Sequence, residues 1–377
     1  MSQNAVPCAG IAPSRERVPR HVRAGVFPPP PVKRPLAVFP FLVLLLIVSV
    51  VLGVAFGPTP LPPGRQLAIL AQQLGLWHAA VTWPADEAVI LLQVRMPRVV
   101  AGALVGAALA TAGTLLQGLL RNPLADPYLI GVSSGAGLGA TVAALFGPMA
   151  SSLAGFGLTS LLAFGGGLLT VLLVYRLAWI GGSVPVVTLL LAGFVVSSLF
   201  GAMTTLLYTV SGQLSTRIRE LFLWLAGGIS VVGWTQVAVV GPLMLLGILL
   251  AWTFARPLNA FALGEEGAGY VGVAVQRQKI AIITVSTVLT AFAVTLSGLV
   301  GFVGLVVPHA MRLLLGPNHR TLLPAAALGG ASFLVLADLG ARVALAPIEL
   351  PVGVVTALLG GPFFLYLLQR SKRPHAL

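Results

Sequence analysis

Ten apolar runs, almost free of charge inside, recur along this chain of 377 residues. A bilayer core about 30 Å thick is crossed by roughly 17–25 such residues in a helix. Lipid offers no hydrogen bonds, so each crossing segment must satisfy its own backbone, and runs of this length do so as α-helices. The runs lie near Leu36–Phe56, Val99–Leu120, Ile130–Phe146, Leu158–Tyr175 and Val187–Tyr208. The second half adds Val237–Phe254, Ile280–Leu296, Leu299–Leu315, Leu322–Leu339 and Val352–Leu368. The expectation is an all-α polytopic membrane protein of about ten transmembrane helices. Charged residues make up 8% of the chain and hydrophobic ones 57%, with mean hydropathy +1.00, which excludes a soluble domain.

An even number of spans puts both termini on one side. With the N-terminus inside, sixteen basic residues fall on the cytoplasmic side and six outside: Arg65, Arg95, Arg98, Arg217, Arg219 and Arg342. That asymmetry obeys the positive-inside rule, so the net charge of +13 describes membrane orientation and not a nucleic-acid partner. Residues 1–35, basic and proline-rich, read as a disordered cytoplasmic tail, and 371–377 as a short cytoplasmic tail. The first run is too long for a signal peptide and reads as an uncleaved helix. The single cysteine, Cys8, permits no intrachain disulfide.

The stretch Arg95–Ala140 carries most of the remaining information. Arg95 and Arg98 stand at the mouth of a helix rich in small residues and, three apart, would share one helix face. Gly102-x-x-x-Gly106 is a spacing that lets helix backbones approach closely. A turn, Asn122-Pro123-Leu124-Ala125-Asp126-Pro127, then leads to a glycine-rich helix start, where Ser133 and Ser134 are placed to satisfy backbone groups. Two long outer segments, 57–94 with His78 and 211–235 with Arg217, Arg219 and Trp224, are more than connectors. So is the inner segment 257–278, too apolar for a solvated loop and too interrupted to span. Asp338 precedes Arg342 by four residues, which is ion-pair spacing on a helix. His309 and Arg312 close the eighth span, where the histidine is placed to bond a neighbouring loop.

In order, RMPR, NPLADPYLIGVSSGA, LGEEGAGYVGV, GLVGFVGLVVPHAMR, GPNHRTLLP and ADLGARVALAPIELPVGVVTALLGGPFF cover most of the chain after residue 36. These blocks resemble the FecCD-type permease subunits of bacterial ABC importers for ferric siderophores, haem and cobalamin. The resemblance implies type II ABC importer permease architecture over residues 36–370, in the bacterial inner membrane. It implies an assembly with a second copy of the chain, two cytoplasmic ATPase subunits and a periplasmic substrate-binding protein. By the same resemblance Gly264, Glu265, Glu266, Ala268 and Gly272 belong to two short helices that couple to the ATPase. Arg95, Arg98 and Arg342 would meet acidic groups of the binding protein. Gly267 and Gly269 depart from the family pattern and would loosen the second coupling helix.

No G-x-x-x-x-G-K-[ST] phosphate loop is present, so ATP and magnesium belong to the partner ATPase, and no cofactor or metal is expected on this subunit. With no histidine or cysteine expected mid-membrane, the cargo would cross as an intact chelate, haem or ferric siderophore, with cobalamin as the alternative. A proton-coupled secondary transporter, the rival reading, would want titratable groups near the midplane, and only Asp338, toward one end, is offered.

Overall fold

The structure is a computed structural model that describes residues 35–76, 83–145, 156–182, 184–212, 218–229 and 231–371. Cys8, His78, Arg217 and nearly all of both expected tails lie outside these residues. Helix α1 (Pro35–Ala55) is followed by α2 (Pro63–Gln73) and α3 (Ala85–Val89). From α3 the chain passes through a π-helical turn, Ile90–Arg95, into α4 (Met96–Leu120). A 3-10 turn, Pro127–Ile130, precedes α5 (Val132–Leu145), α6 (Leu158–Ala178), α7 (Val186–Val210) and the short α8 (Ile218–Leu225). The second half holds α9 (Thr235–Thr253), α10 (Ala255–Phe261), α11 (Glu265–Tyr270), α12 (Val275–Ser297), α13 (Val303–Leu315), α14 (His319–Val343) and α15 (Val352–Ser371).

Each of the ten apolar runs falls on a helix. Seven helical stretches are long and apolar enough to cross a bilayer, while Val132–Leu145, Val303–Leu315 and Val352–Tyr366 are shorter. The second span differs most from expectation, because an unbroken helical stretch of 36 residues starts at Ala85, well before Val99. Hydropathy misses that extension because Asp86, Glu87, Arg95 and Arg98 are charged. The eighth span starts at Val303 and not at Leu299, after Gly298 (φ 60°) and Phe302 (φ 69°) turn the chain in left-handed backbone.

Helix α4 is the axis of the bundle and packs on α14, α12, α13, α9 and α1. Lipid tails are as apolar as leucine, so helices gain nothing from burying leucine and must gain from close contact. A Cβ on Gly106 would lie 2.1 Å from the Gly330 carbonyl of α14, and one on Gly113 would lie 1.8 Å from that of Gly304 on α13. The Gly102-x-x-x-Gly106 spacing therefore does act in packing, though at Gly102 only side chains approach. Helices α5 and α6 meet in the same way through Gly139 and the Leu162 carbonyl.

Two prolines inside these helices free carbonyls that neighbouring side chains satisfy. Pro308 cannot bond back to Gly304, whose carbonyl instead accepts from Gln117 Nε2 at 3.2 Å. Pro324 likewise frees the Arg320 carbonyl, which accepts from the Trp252 indole at 3.1 Å. Ser134 Oγ donates to the Gly131 carbonyl at 2.9 Å, the role its position at the third span implied.

Gly106→Val must drive α4 and α14 apart and is expected to cost about 1–3 kcal/mol. Gly165→Ala, where nothing lies within 4 Å of the added methyl, should stabilise by about 0.4–1 kcal/mol. Thermal unfolding in detergent micelles separates the two.

Candidate functional site

A cluster of charge forms at one end of the bundle around the last turn of α1. The final carbonyls of a helix have no partner within it and carry the negative end of its dipole. Here three side chains from three elements take them up. Arg342 of α14 donates to Gly53 O at 3.0 Å and to Phe56 O at 3.2 Å. Arg95, at the end of the π turn, donates to Val54 O, Ala55 O and Thr59 O. Gln66 of α2 donates to Ala55 O at 3.0 Å and to Leu61 O at 2.9 Å. The guanidinium of Arg95 lies 2.9 Å from where a Cβ of Gly57 would stand, so a side chain there would push Arg95 aside.

Asp338 joins this cap to the neighbouring helices. Its Oδ2 lies 2.9 Å from Arg342 Nε and its Oδ1 3.0 Å from Arg98 Nη2. Arg98 also pairs with Glu349 Oε2 at 2.8 Å. Asp338 is 1% exposed, whereas the Glu349 side chain is 40% exposed, so the network opens to solvent at Glu349.

The three arginines expected at a docking surface are placed differently. Arg95 and Arg342 are 3% and 2% exposed and bond to the carbonyls at the end of α1. Arg95 and Arg98 do not act together: Arg95 turns to α1 and Arg98 to α14 and the segment after it. Of the three, Arg98 alone reaches the surface, with 15% of its side chain exposed. The Asp338–Arg342 pair forms as its spacing implied. The Arg98 contacts span 240 and 251 residues, beyond the reach of any spacing argument.

At the opposite end of the bundle, α10 and α11 form the two short helices expected of segment 257–278. Glu265 and Glu266 occupy the first turn of α11, where carboxylates complement the helix dipole. Glu265 does more. Both its oxygens accept from Lys279 Nζ, at 2.9 and 3.0 Å, and the same ammonium donates to Val184 O at 2.8 Å. Lys279 is buried at the start of α12, and Val184 lies two residues before α7. One ammonium thus fastens α11 to two spanning helices. Ala268 is buried beneath α11, while Leu263, Glu266, Tyr270 and Val271 are exposed, Tyr270 at 90%.

The glycines expected to loosen α11 divide. A Cβ on Gly267 would meet Leu263 Cβ at 2.9 Å, so this glycine serves packing, whereas Gly269 has open space. Gly264 (φ 95°) and Gly272 (φ 84°) bracket the helix in left-handed backbone. Asn259 of α10 accepts from the His319 backbone N–H at 2.9 Å and donates to Asn318 at 2.9 Å, tying α10 to α14. His309 Nδ1 has no hydrogen-bond partner among the described residues.

The model of the FecCD transport family matches residues 45–370. The chain belongs to that family. Among its relatives, the cobalamin import system permease protein BtuC of Halobacterium salinarum is 39% identical over 364 residues, covering 89% of this chain and 96% of that one. The hemin transport system permease protein HmuU of Yersinia pestis is 38% identical over 333 residues, covering 88% and 95%. A solved structure assigned to the metal-chelate type of ABC transporter, in an inward-facing conformation, superposes with a TM-score of 0.74 at 32% identity. It covers 89% of this chain and 99% of its own. The all-helical permease architecture and the family resemblance therefore both hold.

Asp338→Asn leaves the buried Arg342 guanidinium without its carboxylate and is expected to cost this FecCD protein about 3–5 kcal/mol. Glu349→Gln, at the solvent edge of the same network, should cost no more than about 1 kcal/mol. Melting curves of both variants in the same micelle decide whether Asp338 holds the cluster together.

Proposed function

We propose that this chain is the membrane subunit of an ATP-driven importer in the bacterial inner membrane, carrying an intact iron chelate, haem or a ferric siderophore, to the cytoplasm. The observation that carries the reading is the fastened α11. Leu263, Tyr270 and Val271 leave an apolar surface exposed beside Glu266, on a helix held by Lys279 to α12 and to the segment leading into α7. A surface so tied transmits a push into the bundle instead of absorbing it. With no phosphate loop in the sequence, the push comes from a separate ATPase, two copies of which would serve two copies of this chain.

In this reading the α10–α11 end faces the cytoplasm, as do both termini, in keeping with the sixteen basic residues counted on that side. The arginine cluster then faces the periplasm. Arg98 and Glu349 form its accessible edge, and a periplasmic binding protein docks there, with Arg95, Arg342 and Asp338 holding that edge in place behind it. Similarity to a hemin permease supports haem. Similarity to a cobalamin permease supports cobalamin equally well, and that is the alternative cargo.

Two experiments test the proposal. Leu263→Glu with Tyr270→Glu should abolish co-purification of the ATPase while leaving the melting temperature within about 2 °C, as expected of surface substitutions. Retained ATPase would remove α11 as its seat. For the cargo, a strain lacking this gene and other iron importers is grown on haem, a ferric siderophore or ferrous salt. Failure on haem that the gene restores identifies haem. Failure on the siderophore alone identifies that class. Normal growth on both, with a defect in a cobalamin-dependent medium, assigns cobalamin.

A further inference from the structure

On the flank of the bundle a groove of about 210 Å³ opens between α9 and α14, over α4. It is lined by Thr111, Ile248, Leu249, Trp252, Leu323 and Pro324. Leu249 and Trp252 are 66% and 58% exposed, so the groove opens outward from the bundle. Neither end of the bundle described above uses it.

Its geometry is fixed by Pro324. Trp252 spends its indole N–H on the carbonyl that Pro324 frees, so the ring is pinned along one wall and has no donor left for a ligand. The carbonyl it holds belongs to Arg320, one helical turn before Pro324. Arg256 follows Trp252 by four residues, at the start of α10. Both arginines are exposed, and neither forms an ion pair among the described residues. Arg320 also lies in the first turn of α14, where the helix dipole disfavours a cation unless an anion accompanies it.

We propose that this groove is a binding site for one anionic phospholipid. An acyl chain lies against Leu249, Trp252, Leu323 and Pro324, and the phosphate sits between Arg256 and Arg320. The lining is apolar but for Thr111, and an arginine without an ion pair among the described residues lies four residues after Trp252 and another four before Pro324, which matches the two halves of such a molecule; each basic group near a lipid phosphate contributes about 1 kcal/mol. A zwitterionic lipid fills the same groove but gains little from the arginines. The inference rests on this face of the bundle meeting lipid, as the proposed membrane subunit leaves it, and does not depend on the cargo.

The test uses the purified full chain in neutral detergent, titrated with phosphatidylglycerol or with phosphatidylcholine of the same chains and followed by native mass spectrometry. Phosphatidylglycerol is expected to bind about thirtyfold more tightly, and Arg256→Gln with Arg320→Gln to remove that preference; each single variant removes about fivefold. Phosphatidylglycerol with brominated chains should quench tryptophan fluorescence in the native chain, and Trp252→Phe should lose that component. Glycerol phosphate, which lacks chains, should not bind. Equal retention of the two lipids overturns the proposal, as does a preference unchanged in folded arginine variants, which would assign those arginines to another partner. Quenching that survives Trp252→Phe places the lipid elsewhere and overturns it too.

Discussion

Close contact between α4 and its neighbours is the constraint on which the rest of the structure depends. In a bilayer, helices associate through dispersion and hydrogen bonds over short distances, and a single methyl group in the wrong place removes the contact. The carbonyls of Gly330 and Gly304 occupy the space that side chains on Gly106 and Gly113 would need. Because α4 touches α14, α13 and α12 at once, its position sets the position of both functional ends. The arginine cluster is built where α4 and α14 emerge at one end. The α10–α11 segment rests on α12 and α14 at the other.

A second constraint follows from the first. Helices this close, broken by proline and by irregular turns, leave carbonyls in surroundings without water, and each must be answered by the protein. The answers are specific side chains: Gln117 for Gly304, Trp252 for Arg320, Arg95, Gln66 and Arg342 for the end of α1. Polar residues scattered through an apolar chain thus have structural employment first. The arginines at the bundle end illustrate this, because Arg95 and Arg342 both bond to carbonyls that close a helix. The one left at the edge, Arg98, is paired on both sides and oriented before any partner arrives.

Much of the fold was legible in the sequence. Apolar length located all ten helices that form the bundle, since each span must bury its own backbone and so leaves a long run behind. The two short helices of segment 257–278 were legible as an element neither solvated nor spanning. Of the site residues, the Asp338–Arg342 pair could be read from spacing alone, being local to one helix. The partners of Arg98 and the Glu265–Lys279 contact could not, because they join segments whose separation in sequence carries no periodic mark. Lys279, one of three lysines in the chain, stands at the threshold of an apolar run. That was a usable signal, since a charge there is expensive to bury without a partner.

What the sequence determined by itself was the solvent, the class of fold and the family. These rest on composition, run length and ordered blocks of residues, all of which survive without knowledge of any contact. Only the tertiary structure decided which charges are free and which are spent. Whether a guanidinium caps a helix or faces a partner depends on which carbonyls the packing leaves unanswered nearby. That is settled by distances between helices far apart in the chain, where a difference of one ångström decides the outcome.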